Sequence, residues 1–173
     1  PGYENQPALI LQGHLDMVGD KTAACPLDLE KDAIQLVVDG DYVRAEGTTL
    51  GGDDGIAVAY ALAVLDAKDI PHPALEVVLT VCEEVGLLGA SAMELSDLEG
   101  RLLINIDSEE EGVLTAGCAG GRRVECHLPV TRAAVTGTAV KADVTGLVGG
   151  HSGTEIHKGR ANAIALLGRW LTL

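Results

Sequence analysis

The stretch Ile10-Leu11-Gln12-Gly13-His14-Leu15-Asp16 decides how the rest of the chain is read. Ala8 to Leu11 is an apolar run of strand length, and Gly13 frees the backbone to turn where that strand ends. His14 and Asp16 stand two apart, so in an extended backbone they point the same way. A neutral imidazole is a common metal ligand, and such a histidine usually gives its other ring N–H to a partner such as a carboxylate. The pair alone is a weak signal, because a strand-end histidine bonded to a turn aspartate has the same spelling. Three more apolar stretches that run into or out of acids give it weight.

Two of these stretches read as buried strands. Leu75-Glu-Val-Val-Leu-Thr-Val-Cys82 is rich in β-branched residues and ends in Glu83-Glu84, and Leu102-Leu-Ile-Asn-Ile106 ends in Asp107-Ser-Glu-Glu-Glu111. The third begins with Thr48-Thr-Leu-Gly-Gly-Asp-Asp-Gly55, a glycine-rich loop that opens a helix over Ile56 to Ala67. That helix is apolar nearly all round, which predicts burial. Its loop carries no Gly-Lys-Ser/Thr, so it is no phosphate cradle; it places Asp53 and Asp54 at a helix N-terminus, where negative charge is favoured. Between Asp16 and this loop, residues 34–38 and 41–45 predict a β-hairpin, with Asp39-Gly40 as a type I′ turn. Val85 to Leu95 predicts a turn and a short helix. Strand, helix, strand, helix, strand is an α/β pattern: a mostly parallel sheet covered by helices. In such sheets ligands bind at the carboxyl ends of the strands, where His14, Glu83, Glu84 and Asp107 fall, with Asp53 on an adjacent loop.

Composition narrows the function classes. The chain has 173 residues, 47% of them hydrophobic, with no Phe and only Tyr3, Tyr42, Tyr60 and Trp170 as aromatics, so the expected core is Leu, Val, Ile and Ala. A formal net charge of −14 argues against nucleic-acid binding, which needs cations to neutralise phosphates, and predicts some attraction for metal ions. Cys25, Cys82, Cys118 and Cys126 form no Cys-x-x-Cys pair, which fits a reducing cytoplasm, and Cys82 reads as a small core residue. No apolar run is long enough to span a bilayer. The opening Pro1-Gly-Tyr-Glu, with no initiator Met, reads as a cut end.

The pattern changes after Gly117-Cys-Ala-Gly-Gly121. Residues 123–130 and 138–145 alternate as amphipathic antiparallel strands would, Gly149-Gly-His-Ser-Gly153 is a glycine-flanked loop, and a helix is predicted from Ala161 to Leu173 with Asn162 near its start. The expected division is residues 1–120 and a smaller α+β part over 121–173.

Several carboxylates and one histidine cannot share a cleft without a counter-charge, because like charges push each other's pKa values up. A divalent metal supplies that charge, and one His with carboxylates and no thiolate suits Zn²⁺, Mn²⁺ or Co²⁺. Two metals would clamp an attacking water and a substrate carbonyl together, and a carboxylate left over can act as general base. The doublet Glu83-Glu84 offers one carboxylate for each task.

Gly-His-Leu-Asp-Met, Gly-Thr-Thr-Leu-Gly-Gly-Asp-Asp-Gly-Ile, Cys-Glu-Glu-Val-Gly, Ile-Asn-Ile-Asp-Ser-Glu-Glu-Glu-Gly and Gly-Gly-His-Ser-Gly-Thr-Glu-Ile-His, in this order, resemble the co-catalytic zinc peptidases of the aminoacylase and carboxypeptidase superfamily. Within it the chain is most similar to the aminoacyl-histidine (Xaa-His) dipeptidases. The resemblance implies two divalent metals, most often zinc, and hydrolysis of short peptides by a metal-activated water. It implies His14 and Asp107 on the first metal, Glu84 on the second and Asp53 bridging them, with a cis peptide to Asp54. It further implies Asp16 as the carboxylate orienting His14, Glu83 as general acid/base, and His151 polarising the substrate carbonyl from a lid domain that carries the dimer contact. Asn162 and Arg160 would meet the substrate carboxylate, although a helix N-terminus explains them as well. The implied partners are a dipeptide substrate and, for the full-length protein, a second copy; the implied location is cytoplasmic. One departure stands out: the family's second metal takes a further histidine from a distal segment, and His72, His127 and His157 do not sit in the matching context. The expectation is therefore a fragment, inactive by itself. A deacylase or carboxypeptidase on the same scaffold, and a non-catalytic metal-binding or dimerisation remnant, are the alternatives.

Overall fold

The structure is a computed structural model that describes residues 2–108, 110–118, 120–122, 124–151 and 153–172. The backbone divides into two units, Pro1–Cys118 and Ala119–Leu173.

The first unit is built on β1 (Leu9–His14), the middle strand of a three-stranded sheet. Two further strands, β2 (Leu36–Asp39) and β3 (Tyr42–Ala45), form a separate antiparallel hairpin. The helix α1 (Gly52–Asp66) follows, then β4 (Leu75–Thr80), the short α2 (Leu88–Ala92) and β5 (Leu102–Asn105). The sheet order is β4-β1-β5 and both pairings are parallel, with His14 opposite Thr80 and Gln12 opposite Asn105. The fold class is thus α/β with a parallel sheet, as the alternation of elements predicts. Parallel pairing puts the carboxyl ends of all three strands along one edge. Two backbone bonds prolong the ladder there: Leu15 N–H donates to the Thr80 carbonyl at 2.9 Å, and Ile106 N–H to the Gln12 carbonyl at 3.0 Å.

The helical cover is thinner than the pattern predicts. Helix α1 packs on β1 and β4, burying Asp54, Ala57 and Ala61, while Ile56, Tyr60, Leu62 and Leu65 are exposed. An all-round apolar sequence cannot report how many neighbours the helix has. Among the described residues the buried apolar core is Ile10, Leu11, Ala57 and Ala61, a seam of methyls between β1 and α1. Leu102, Leu103 and Ile104 of β5 are exposed rather than buried.

Gly13 serves space rather than turning. It lies inside β1, and a Cβ built there would stand 2.5 Å from both the Ala57 Cβ and the Asp54 Oδ2. Its missing side chain is what lets α1 and the Asp54 carboxylate approach the strand. The hairpin turn also differs. Asp39 pairs with Tyr42, so the central residues are Gly40 and Asp41, and only Gly40 has positive φ, at 63°. That matches the φ pattern of a type II′ turn and not of a type I′ turn. Strand β4 stops at Thr80, before Cys82, which is exposed at φ 55° and so is no core residue.

In the second unit, the described residues of 120–145 form no strand, against the two that alternation predicts. Alternation alone makes no ladder, and a two-stranded hairpin by itself is marginal. Residues Ile156–Lys158 form one turn of 3-10 helix, and α3 spans Ala163–Leu171. Asn162 is its N-cap: the side-chain oxygen accepts from the Ala165 N–H at 3.0 Å, satisfying one of the orphan donors of the first turn.

Candidate metal centre

His14 is the last residue of β1 and only 1% exposed. Its Nδ1 lies 2.8 Å from the Asp16 carbonyl oxygen and its Nε2 lies 3.0 Å from Asp53 Oδ1. A neutral imidazole has one N–H and one lone pair, so it cannot donate to both oxygens. With Nδ1–H given to the carbonyl, the Nε2 lone pair faces a carboxylate. That arrangement asks for a cation between them, a proton or a metal ion. Burial works against charging the ring, but the Asp53 carboxylate, the Asp16 carbonyl and the charge of Asp107 outweigh it and raise the His14 pKa above the usual imidazole value.

The acids around His14 come from three strand ends and a helix mouth. One ligand atom each from His14, Asp54 and Asp107 lie within 4.8 Å of one another, and so do one each from His14, Glu83 and Glu84. His14 is common to both groups. Among the described residues the donors are one imidazole nitrogen and carboxylate oxygens, with no thiolate. Such a set fits Zn²⁺, Mn²⁺ or Co²⁺.

Asp53 and Asp54 open α1 with non-helical dihedrals, and the peptide bond between them is cis. Asp53 touches the His14 ring, yet its side chain is 72% exposed and belongs to neither group. Asp54 is the buried one, 2% exposed, and its Oδ2 accepts from the His14 backbone N–H at 3.2 Å. Desolvation lifts its pKa, with Asp107 adding to the rise. Asp54 is thus the candidate ligand that reading the residues in order passed over. The signal available was the doublet itself: a helix N-terminus needs one capping acid, not two.

Glu83 and Glu84 follow β4. Burial lifts the Glu83 carboxyl above its ordinary value; His14 opposes the rise, and Asp107, Glu84 and Asp16 add to it. Asp16 does not reach His14 with its carboxylate as closely as with its carbonyl; Oδ1 is 3.7 Å from Nδ1. The carboxylate instead accepts from the backbone N–H groups of Glu83 at 3.0 Å and Glu84 at 3.1 Å. Burial would raise the Asp16 pKa, and those two bonds overcome it and hold the carboxyl below its usual range.

In the second unit, His151 Nδ1 accepts from the N–H groups of Gly153 at 3.2 Å and Thr154 at 3.0 Å, which leaves Nε2 to carry the proton of the neutral ring. Arg160 makes a two-pronged pair with Glu155, at 2.8 and 3.1 Å, and Lys158 joins the same carboxylate. Those contacts draw the Glu155 pKa down. His151, Glu155, Arg160 and Asn162 line one cavity.

No protein-family model matches the chain. Curated and solved proteins do. The chain is 48% identical over 172 residues to the cytosol non-specific dipeptidase of Escherichia coli, covering 98% of itself and 36% of that protein. It is 33% identical over 132 residues to the uncharacterized protein YqjE of Bacillus subtilis, covering 74% of itself and 31% of that protein. The crystal structure of the aminoacylhistidine dipeptidase from Vibrio alginolyticus superposes with a TM-score of 0.68 at 41% identity, over 99% of this chain and 35% of that one. The chain therefore spans about a third of the length of these relatives. Over nearly its whole length it is homologous to dipeptidases, which agrees with the resemblance carried by its motifs.

Proposed function

We propose, from that homology, that the protein carrying this chain is a metal-dependent dipeptidase hydrolysing short peptides, Xaa-His among them, and that this chain supplies most of its metal centre. The observation that carries the reading is the buried His14, flanked by oxygen at both ring nitrogens and shared by two groups of carboxylates. In this reading residues 1–120 belong to the catalytic domain and 121–173 to the lid, and the whole protein is a cytoplasmic homodimer.

His14, Asp54, Asp107 and Glu84 are the residues that would hold two divalent ions, zinc first among the candidates, with Glu83 beside them and left unligated. The motif resemblance would add Asp53 to that set, and the contact of its carboxylate with His14 Nε2 supports including it. A divalent ion held by these residues would supply Lewis acidity toward a substrate carbonyl and a more acidic water. Glu83 takes a proton from the attacking water as the new C–O bond forms, then gives it to the amine nitrogen as the C–N bond breaks. Its raised pKa suits both halves of that exchange. The motif resemblance assigns His151 to the substrate carbonyl oxygen; within its own unit the ring's Nδ1 accepts from the N–H groups of Gly153 and Thr154. Asn162 already spends its side-chain oxygen on capping α3 and Arg160 is paired with Glu155, so either would meet a substrate carboxylate only with its remaining donors.

The test is hydrolysis of Xaa-His dipeptides by the whole protein before and after chelation, with Zn²⁺, Mn²⁺ or Co²⁺ added back. Turnover should vanish with chelator, return with metal, and be lost in Glu83→Ala while metal stays bound. Full turnover in Glu83→Ala, or hydrolysis confined to N-acyl amino acids, would overturn the reading.

A further inference from the structure

The segment that carries Glu83 and Glu84 has no strand ladder to hold it. Strand β4 ends at Thr80, and Cys82, at φ 55°, bends the chain out of the sheet direction. Beyond the doublet the chain turns sharply, with the Glu83 carbonyl accepting from the N–H groups of both Gly86 and Leu87 at 2.9 Å. What meets the two successive N–H groups of the doublet is one side chain. Asp16 Oδ1 accepts from Glu83 and Asp16 Oδ2 from Glu84. Each oxygen takes its own donor, so the contact fixes the segment's rotation as well as its position, and a charged acceptor makes such bonds strong. The same residue holds the other side of the site, through its carbonyl oxygen on His14 Nδ1.

We propose that Asp16 is a positioning residue that joins the two sides of the site, its carbonyl aligning the His14 ring and its carboxylate gripping the Glu83–Glu84 backbone. This rests on the reading of Glu83 as the proton carrier. The role differs from a carboxylate that orients the histidine alone: the carboxylate's partners lie 67 and 68 residues away, at the end of another strand. Without the grip, the backbone bonds left around the doublet among the described residues are those of the turn that follows it. Glu83 would then spend less of its time where a proton can be exchanged, while the substrate would bind as before.

The experiment uses the zinc-loaded whole protein with Asp16→Asn, which keeps the size and one acceptor oxygen, with Asp16→Ala, which keeps none, and with Asp16→Glu, which keeps both. The expected result for Asp16→Asn is a kcat about 10–100-fold lower on an Xaa-His dipeptide, the usual cost of losing an outer partner of a metal site, with KM and zinc content unchanged. Hydrogen exchange at the Glu83 and Glu84 amides should quicken, with exchange across β1 unaltered. Asp16→Glu should recover more of kcat than Asp16→Ala. Unchanged exchange at those two amides in both Asp16→Asn and Asp16→Ala would overturn the proposal, and so would zinc loss without faster exchange, which would put the effect on His14 alone. Turnover surviving in Glu83→Ala would sink the assignment of Glu83 instead, and the exchange result would still decide whether Asp16 holds the doublet.

Discussion

The Asp16 carboxylate stands 3.0 Å from the backbone nitrogen of Glu83, a residue 67 positions later, and so ties the end of β1 to the end of β4. Both bonds are charge-assisted while Asp16 is ionised. Its pKa is held below the usual carboxylate range, burial being outweighed by the N–H groups of Glu83 and Glu84. A carboxyl whose folded pKa is depressed stabilises the fold above its unfolded pKa, about 3.9 for Asp, and loses that contribution as pH falls through the folded value. In chelator-treated protein, urea midpoints measured from pH 3 to 7 should therefore show wild type above Asp16→Asn at neutral pH, with the gap closing in acid. A gap that widened on acidification would contradict the bonding described.

His14 has the opposite sign. Burial disfavours its charge, yet Asp53, the Asp16 carbonyl and Asp107 raise its pKa above the usual value of about 6.5. In metal-free protein its stabilising contribution is complete below the unfolded pKa and is lost as pH rises through the folded one. Nitrogen-15 NMR should find the ring titrating above about 6.5 with chelator present. With Zn²⁺ bound, the ring should stay neutral across the same range, and zinc affinity should climb with pH because metal displaces a proton.

The carboxyl edge of the sheet was legible because each of its strands is spelled as a short apolar run, even β5 whose residues are exposed, and the first polar residues after a run mark where it ends. That rule places His14, Glu83, Glu84 and Asp107 together without knowledge of the packing. The grip of Asp16 was not legible, since a side chain bonding backbone at the end of another strand leaves no periodic trace. Nor was the reason for Gly13, whose neighbour in space is Ala57 on a helix 44 positions on. Alternation misled over 124–130 and 138–145 because it records which way side chains point in an extended chain, not whether a paired strand lies alongside. The exposed outer face of α1 failed for a similar reason: composition states what a helix can bury, and packing decides what it does bury.

Gly13→Ala tests the packing that seats Asp54. The new methyl would meet the Ala57 Cβ and the Asp54 Oδ2 at 2.5 Å, so the helix or the carboxylate must shift. Overpacking of this kind costs about 1–3 kcal/mol, read as a lower urea midpoint with the slope unchanged. Because one clashing atom is a candidate ligand, the variant should also bind zinc more weakly by calorimetry. Stability and affinity both equal to wild type would mean that α1 does not lie against β1 as described.

The two groups of ligand atoms make separable predictions because they share one residue. His14 belongs to both, Glu84 only to the group with Glu83, and Asp54 only to the group with Asp107. Zinc titration of the protein should therefore be hit hardest in His14→Ala, since the ring's one lone pair, at Nε2, is the nitrogen donor that no carboxylate of either group replaces. Glu84→Gln should remove or weaken one site and spare the other, because Asp54 and Asp107 still flank the ring. Asp54→Asn should do the reverse, and its loss should exceed that of Asp53→Asn if the buried carboxylate, rather than the exposed one, holds the ion. Equal losses in Asp53→Asn and Asp54→Asn would instead favour the bridging role that the motif resemblance assigns to Asp53.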